Sequence, residues 1–183
     1  MQFGSKTILG TLAIGAVALL GSGTAQAERG YFGGNLAFLE YEEESISDSA
    51  DLTAGYLRLG GNANEYVSGE LRLGLGLGED SVNVSGTTVN VELDTLFGGY
   101  IRGGYPVTEE FYPYVIAGIT RAELTASVPG VVSISDSGTD TSFGLGADLS
   151  VTDNASLNVE YMSWYDKDGT DVSGFSLGAS FAF

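Results

Sequence analysis

Six charged residues stand out by type and spacing. Arg58 lies between Leu57 and Leu59, Glu70 and Arg72 flank Leu71, Arg102 follows Ile101, Asp148 precedes Leu149, and Glu160 lies between Val159 and Tyr161. Each is on the polar parity of a stretch that is apolar on the other parity. Three cations and three anions placed in this way suit mutual neutralisation inside a fold. They do not suit acid–base catalysis. The chain has no histidine and no cysteine, which removes the usual general base, the commonest metal ligand and any thiolate nucleophile. A serine beside a carboxylate, without a base, is a weak nucleophile. No catalytic, cofactor or metal site is therefore expected. Asp166, Asp168 and Asp171 around Gly169 hint at a calcium loop, as do Asp136 and Asp140, but the closing glutamate is absent and turn composition accounts for them. The G-x-G of Gly74 and Gly76 lacks the helix a dinucleotide site requires. A formal charge of −17 argues against binding nucleic acid.

The elements that must position these charges are strands. Period-two alternation broken by turns recurs after residue 27, with no helical period between, which indicates an all-β antiparallel fold. Eight strands are read: Gly30 to Tyr41, Leu52 to Gly60, Tyr66 to Gly76, Val89 to Tyr105, Tyr112 to Leu124, Thr141 to Val151, Ala155 to Tyr165 and Ser173 to Phe183. Their connections alternate in length. Those at 61–65, 106–111 and 152–154 are short; those at 42–51, 77–88, 125–140 and 166–172 are longer or more polar. Short turns at one end and long loops at the other are the anatomy of an eight-stranded up-and-down transmembrane β-barrel.

The faces decide which way the barrel is turned. Glycines such as Gly33, Gly60, Gly74, Gly98, Gly118, Gly144, Gly146 and Gly178 share the charged face. Interior glycine weakens a strand, so a solvated surface has no use for it, whereas the narrow interior of an eight-stranded barrel does. The charged face is placed inside and the apolar face against lipid. Arg58, Glu70, Arg72, Arg102, Asp148 and Glu160 then form one network in the lower lumen. In the fourth strand, Val89, Val91, Leu93, Phe97 and Ile101 are read as one outward face. Glu92 and Asp94, on the opposite parity, are read as acids at the outer rim. Aromatics fall near both ends, with Phe32, Tyr66, Tyr105, Tyr112 and Phe183 below and Phe38, Tyr41, Phe143, Trp164 and Tyr165 above. Rings of this kind are favoured at headgroup level.

The first 27 residues have a different character. Lys6, an apolar run from Ile8 to Gly21 and the ending Ala25-Gln26-Ala27 describe a cleavable secretory signal peptide, the run being shorter than the roughly 20 residues that span a bilayer. Residues 28–183 are then the barrel domain, with both mature termini on the periplasmic side.

A family resemblance rests on GGYPVTEEFYPYVIAGITRAEL (103–124), GADLSVTDNASLNVEYMSW (146–164), EYVSGELRLG (65–74) and the ending SLGASFAF. These segments resemble turn-and-strand units of OmpA-type eight-stranded outer-membrane barrels, over nearly all of 30–183. The resemblance implies that Glu70, Arg102 and Asp148 are charges that plug the interior. Asn158 stands where the family has a lumen arginine, and Arg58 and Arg72 are the cations available to replace it. The resemblance also implies an assembly signal, Ser176, Gly178, Phe181 and Phe183, read by the barrel-assembly machinery. The expected location is the outer membrane, with lipid and lipopolysaccharide as surroundings and divalent cations as a bridge between acidic loops and lipopolysaccharide phosphates. Two functions stay open: a non-enzymatic envelope protein whose acidic loops form a contact surface, with adhesion as a variant, and a narrow pore made cation-preferring by Glu92 and Asp94.

Overall fold

The computed structural model describes residues 30–43, 49–84, 87–128, 132–167 and 169–183. The segment read as a signal peptide, and Glu44, Asp48 and Asp168 in the acidic connections, lie outside them. Nine strands occur among the described residues: β1 (Gly30–Glu43), β2 (Ser49–Asn62), β3 (Val67–Gly76), β4 (Glu79–Val84), β5 (Thr87–Gly104), β6 (Phe111–Val128), β7 (Val132–Ser150), β8 (Ala155–Lys167) and β9 (Thr170–Ala182). β3 and β4 both pair with β5, interrupted at Leu77 and Gly78, so together they make one stave. With every neighbour antiparallel and β1 paired to β9, the sheet closes into an eight-stranded barrel. Closure leaves no open edge in the lipid, which a membrane-spanning sheet requires.

Closure also holds the last residue. The Phe183 amide donates to the Gly30 carbonyl at 2.9 Å. Its ring lies outside, near Phe32, which in turn stacks with Phe181.

The upper connections differ from the expectation. The long polar stretches are mostly strand: β6 and β7 pair without a break from Phe111↔Leu149 to Val128↔Val132, and β8 turns into β9 beside Gly169, at φ 85°. In stretches such as TTVNVELD and SISDSGTDTS, polar residues on the outer face give a strand in water the composition of a loop.

The barrel has two zones. In the lower one, large apolar side chains such as Leu57, Leu73, Ile101, Val115, Leu145 and Leu177 are exposed outward. In the upper one, the outer wall carries Glu92, Arg121, Glu123, Ser135 and Thr139, all exposed. The interior changes in the opposite sense, and two bulges mark the change. The β5–β6 register shifts between Leu93 and Thr95, and the β8–β9 register between Ser163 and Tyr165. Below Asp94, Phe97 and Ile101 face out; above it, Val91 and Leu93 are buried inside and Glu92 is exposed. The reading of Val89, Val91, Leu93, Phe97 and Ile101 as one outward face is corrected by this bulge, because one extra residue exchanges the two faces of a strand.

Candidate functional site: the charged lumen and its apolar cap

All six charged residues face the interior. Glu70 is the hub. It accepts from Arg72 Nε at 2.5 Å and from the Tyr31 hydroxyl at 2.6 Å, and lies 3.4 Å from Arg102 and 3.8 Å from Arg58. Arg72 also grips Glu160 in a fork, Nη1 at 2.6 Å and Nη2 at 2.9 Å. Arg102 pairs with Asp148 through Nη2, and Arg58 reaches the same carboxylate at 3.5 Å. Fork geometry and short contacts give Arg72 the strong form of an ion pair. Arg58, by contrast, makes no hydrogen bond to protein atoms; it has two longer ion pairs and lies 5.7 Å from the centre of the Tyr31 ring.

Tyrosines complete the network; Tyr100, on the parity of Arg102, is read from the sequence on the charged inner face, whereas Tyr31, Tyr56 and Tyr114 are not. Tyr31 and Tyr114 line the Arg102 guanidinium; Tyr56 and Tyr100, with Trp164, surround that of Arg72 at 4.7 to 5.3 Å. Tyr114 donates to Glu160 at 2.8 Å and accepts from Asn158 at 2.7 Å. Asn158 thus fills the place where an arginine was expected, bridging Tyr114, Asp148 and Asn35. For Tyr56 the signal was present, since it precedes Arg58 by two residues, as Tyr100 precedes Arg102, and so shares its face. Glycine makes room for these rings. A Cβ on Gly60 would overlap the Tyr31 ring, and one on Gly146 would come within 2.5 Å of the Tyr114 hydroxyl.

Above the network the lumen is mainly apolar, with Thr120 and Ser142 buried beside Tyr100 and Trp164 and hydrogen-bonded to them. Ala37, Leu39, Leu52, Ala54, Val91, Leu93, Leu96, Met162, Trp164 and Val172 are buried in one cluster, with Tyr41, Val89, Leu124 and Tyr165 against it. Trp164 is 2% exposed and meets Tyr56 and Tyr100 edge-on. Tyr41, Trp164 and Tyr165, read as outer-interface aromatics, are therefore cap residues, and Tyr112 also turns inward, against Tyr114. The bulge at Trp164 turns it and Tyr165 to the same side. Phe38 and Phe143 above, and Phe32, Tyr66, Tyr105 and Phe183 below, are exposed on the outer wall.

Below the network, a polar vestibule of about 490 Å³ opens at the short-turn end, lined by Tyr31, Ser68, Arg102, Tyr112, Asp148 and Ser180 among others. The remaining site residues divide by parity. Ser176 is buried, sharing a hydrogen bond with the Tyr56 hydroxyl at 2.8 Å, and Gly178 lies under Asn35. Phe181 and Phe183 face outward. Glu92 and Asp94 do not line the mouth. Glu92 points out, and Asp94, at the bulge, accepts from Thr125 on the outer wall at 2.6 Å. Among the described residues no group of three or more histidine, cysteine or acidic residues is arranged to hold a metal ion.

A closed barrel with an apolar belt outside and a neutral charge network inside is the class of protein that spans an outer membrane with strands. Residues 9–183 match the outer membrane protein beta-barrel domain family, and the chain belongs to that family, placing it in the outer membrane. No curated protein sequence matches the chain. Among solved structures it is similar to Ail, the attachment invasion locus protein of Yersinia pestis, with a TM-score of 0.64 and 15% identity over 86% of this chain and 100% of that one. Neisserial surface protein A gives 0.65 and 14%, over 84% and 97%. The N-terminal barrel of Pseudomonas aeruginosa OprF gives 0.50 and 18%, over 82% and 97%. At these identities the likeness is one of fold.

Proposed function

We propose that the protein is a non-enzymatic envelope barrel with a sealed lumen, and that its acidic outer end is its contact surface. The observation that carries this reading is the stacking of two different fillings in one lumen. Ions crossing it would have to part the Arg72–Glu160 fork and then traverse the cluster around Trp164. The absence of histidine and cysteine from the sequence supports a role without catalysis. The alternative, a narrow cation-preferring pore, drew on the glycine-rich lumen and Asn158, with Glu92 and Asp94 at the mouth for its ion preference; tyrosine rings over Gly60 and Gly146, the Asn158 bridge and the outward orientation of the two acids weigh against it. In a planar bilayer the purified protein is expected to give no steady unitary conductance. Reproducible cation-selective openings would overturn the sealed reading.

The outer end is strongly acidic, and Arg121 and Lys167 are the basic residues that belong to it. Divalent cations bridging these acids to lipopolysaccharide phosphates form the contact we propose there. Bare carboxylates would repel the phosphates. Ail has been solved with a heparin analogue, sucrose octasulfate. An acidic surface has the wrong sign for such a polysulfate, so the adhesive variant is expected not to use one here. Chelating divalent cations should loosen lipopolysaccharide from the protein, and unchanged association would remove the bridging role. In the same reading, residues 1–27 are a cleaved signal peptide, 28–183 are the mature domain with both termini periplasmic, and Ser176, Gly178, Phe181 and Phe183 engage the assembly machinery.

A further inference from the structure

The β6–β7 hairpin rises above its neighbour on one side. β7 pairs with β6 along its whole length, but its pairing with β8 begins only at Phe143↔Ser163. Val132 to Ser142 therefore have no ladder partner on that side among the described residues. The direction of the backbone groups follows from the lower end. Ser150 donates to Glu110 on the β6 side, and Val151 to Ala155 on the β8 side. Alternation along the unbroken register makes Ser133, Ser135, Ser137, Thr139 and Thr141 the residues whose N–H and C=O groups face the open edge. An edge of this kind is a template for strand addition.

Two aspartates cover it. Asp136 Oδ1 accepts from the Ser137 amide at 2.8 Å, and Asp140 Oδ1 from the Thr141 amide at 2.7 Å. The other Asp140 oxygen accepts from the Asp166 amide at 3.1 Å, drawing the tip of β8 toward the edge. Without the carboxylates the strand would be self-complementary. Antiparallel pairing of two copies about Ser137 sets Ser133 opposite Thr141 and Ser135 opposite Thr139, a ladder of hydroxyl pairs of the favourable kind. It sets Asp136 opposite Gly138 and Ile134 opposite Asp140, so no like charges face each other directly.

We propose that the β7 edge from Ser133 to Thr141 is a latent pairing surface for a second copy of this chain in the opposite orientation, outer end to outer end as between two facing membranes or two micelles, held closed by Asp136 and Asp140. The test uses the folded, detergent-solubilised protein, with its heat-dependent shift in electrophoresis as the check that the barrel is intact. Sedimentation equilibrium compares wild type, the double variant Asp136→Thr/Asp140→Thr, and the same variant carrying Ser135→Pro, which removes an edge N–H. The double variant should move from the wild-type mass toward twice that mass, and the added proline should return it. A double variant that keeps the wild-type mass overturns the proposal. So does association that persists with the proline, because the contact would then lie elsewhere.

Discussion

The two zones of the barrel solve one packing problem with opposite materials. In lipid, the wall must be apolar, and the narrow interior holds charges that cancel. In water, the wall is polar, and the same interior holds Leu39, Leu52, Leu93 and Trp164 as an ordinary hydrophobic core. The lower zone is cohesive because its buried charges have partners close at hand; the upper is cohesive because apolar area leaves water. The comparison teaches that an inside-out design need not extend over a whole barrel. A bulge at Asp94 and another at Trp164 suffice to exchange the faces along two staves.

The largest expected effects come from breaking either filling at its centre. Arg72→Ala strands Glu70 and Glu160 with much of their compensation gone. Removing one partner of a buried pair typically costs about 3–5 kcal/mol, to be read as a lowered urea midpoint for unfolding from lipid vesicles. Trp164→Ala empties the middle of the cap and should cost a similar ~3–5 kcal/mol, but by cavity formation. An added apolar ligand that fits the void should therefore restore stability to Trp164→Ala and not to Arg72→Ala.

The walls should differ next. Leu57→Arg puts a cation against acyl chains, at roughly 2–4 kcal/mol if the site is near the midplane. Thr139→Arg, on the upper wall, should change stability by about 0.5 kcal/mol or less. Equal losses from the two substitutions would erase the distinction between zones. Within the network itself the arginines should differ. Arg58 lacks hydrogen bonds to protein atoms, while Asp148 and Glu70 each keep another arginine when it is gone. Arg58→Leu leaves two arginines against three carboxylates and should still lower the midpoint, but by less than Arg72→Ala in the same assay.

Much of the lower zone was legible in the sequence. A charge between two leucines, as at Arg58, can lie only on the face away from lipid, and the glycines sharing that face pointed to a crowded interior. The cap was not legible, for a physical reason. A buried apolar residue and a lipid-facing one are chemically alike, so only register separates Leu93 from Phe97, and the bulge that changes the register leaves no mark in composition. Trp164 was misplaced because tryptophan suits both a membrane interface and a core. The tall β6–β7 hairpin was hidden in a similar way, since its serines and threonines on the outer wall read as a loop.

The inversion can be tested directly by a single-site spin-label scan along β5 in lipid vesicles, comparing collisions with oxygen and with a water-soluble nickel complex. Labels at Phe97 and Ile101 should be accessible to oxygen and at Leu96 to neither reagent. Above Asp94 the parity should change, with Glu92 accessible to nickel and Val91 and Leu93 to neither. Val91 and Leu93 accessible to oxygen, on one unbroken alternation with Phe97, would contradict the apolar cap and the account built on it.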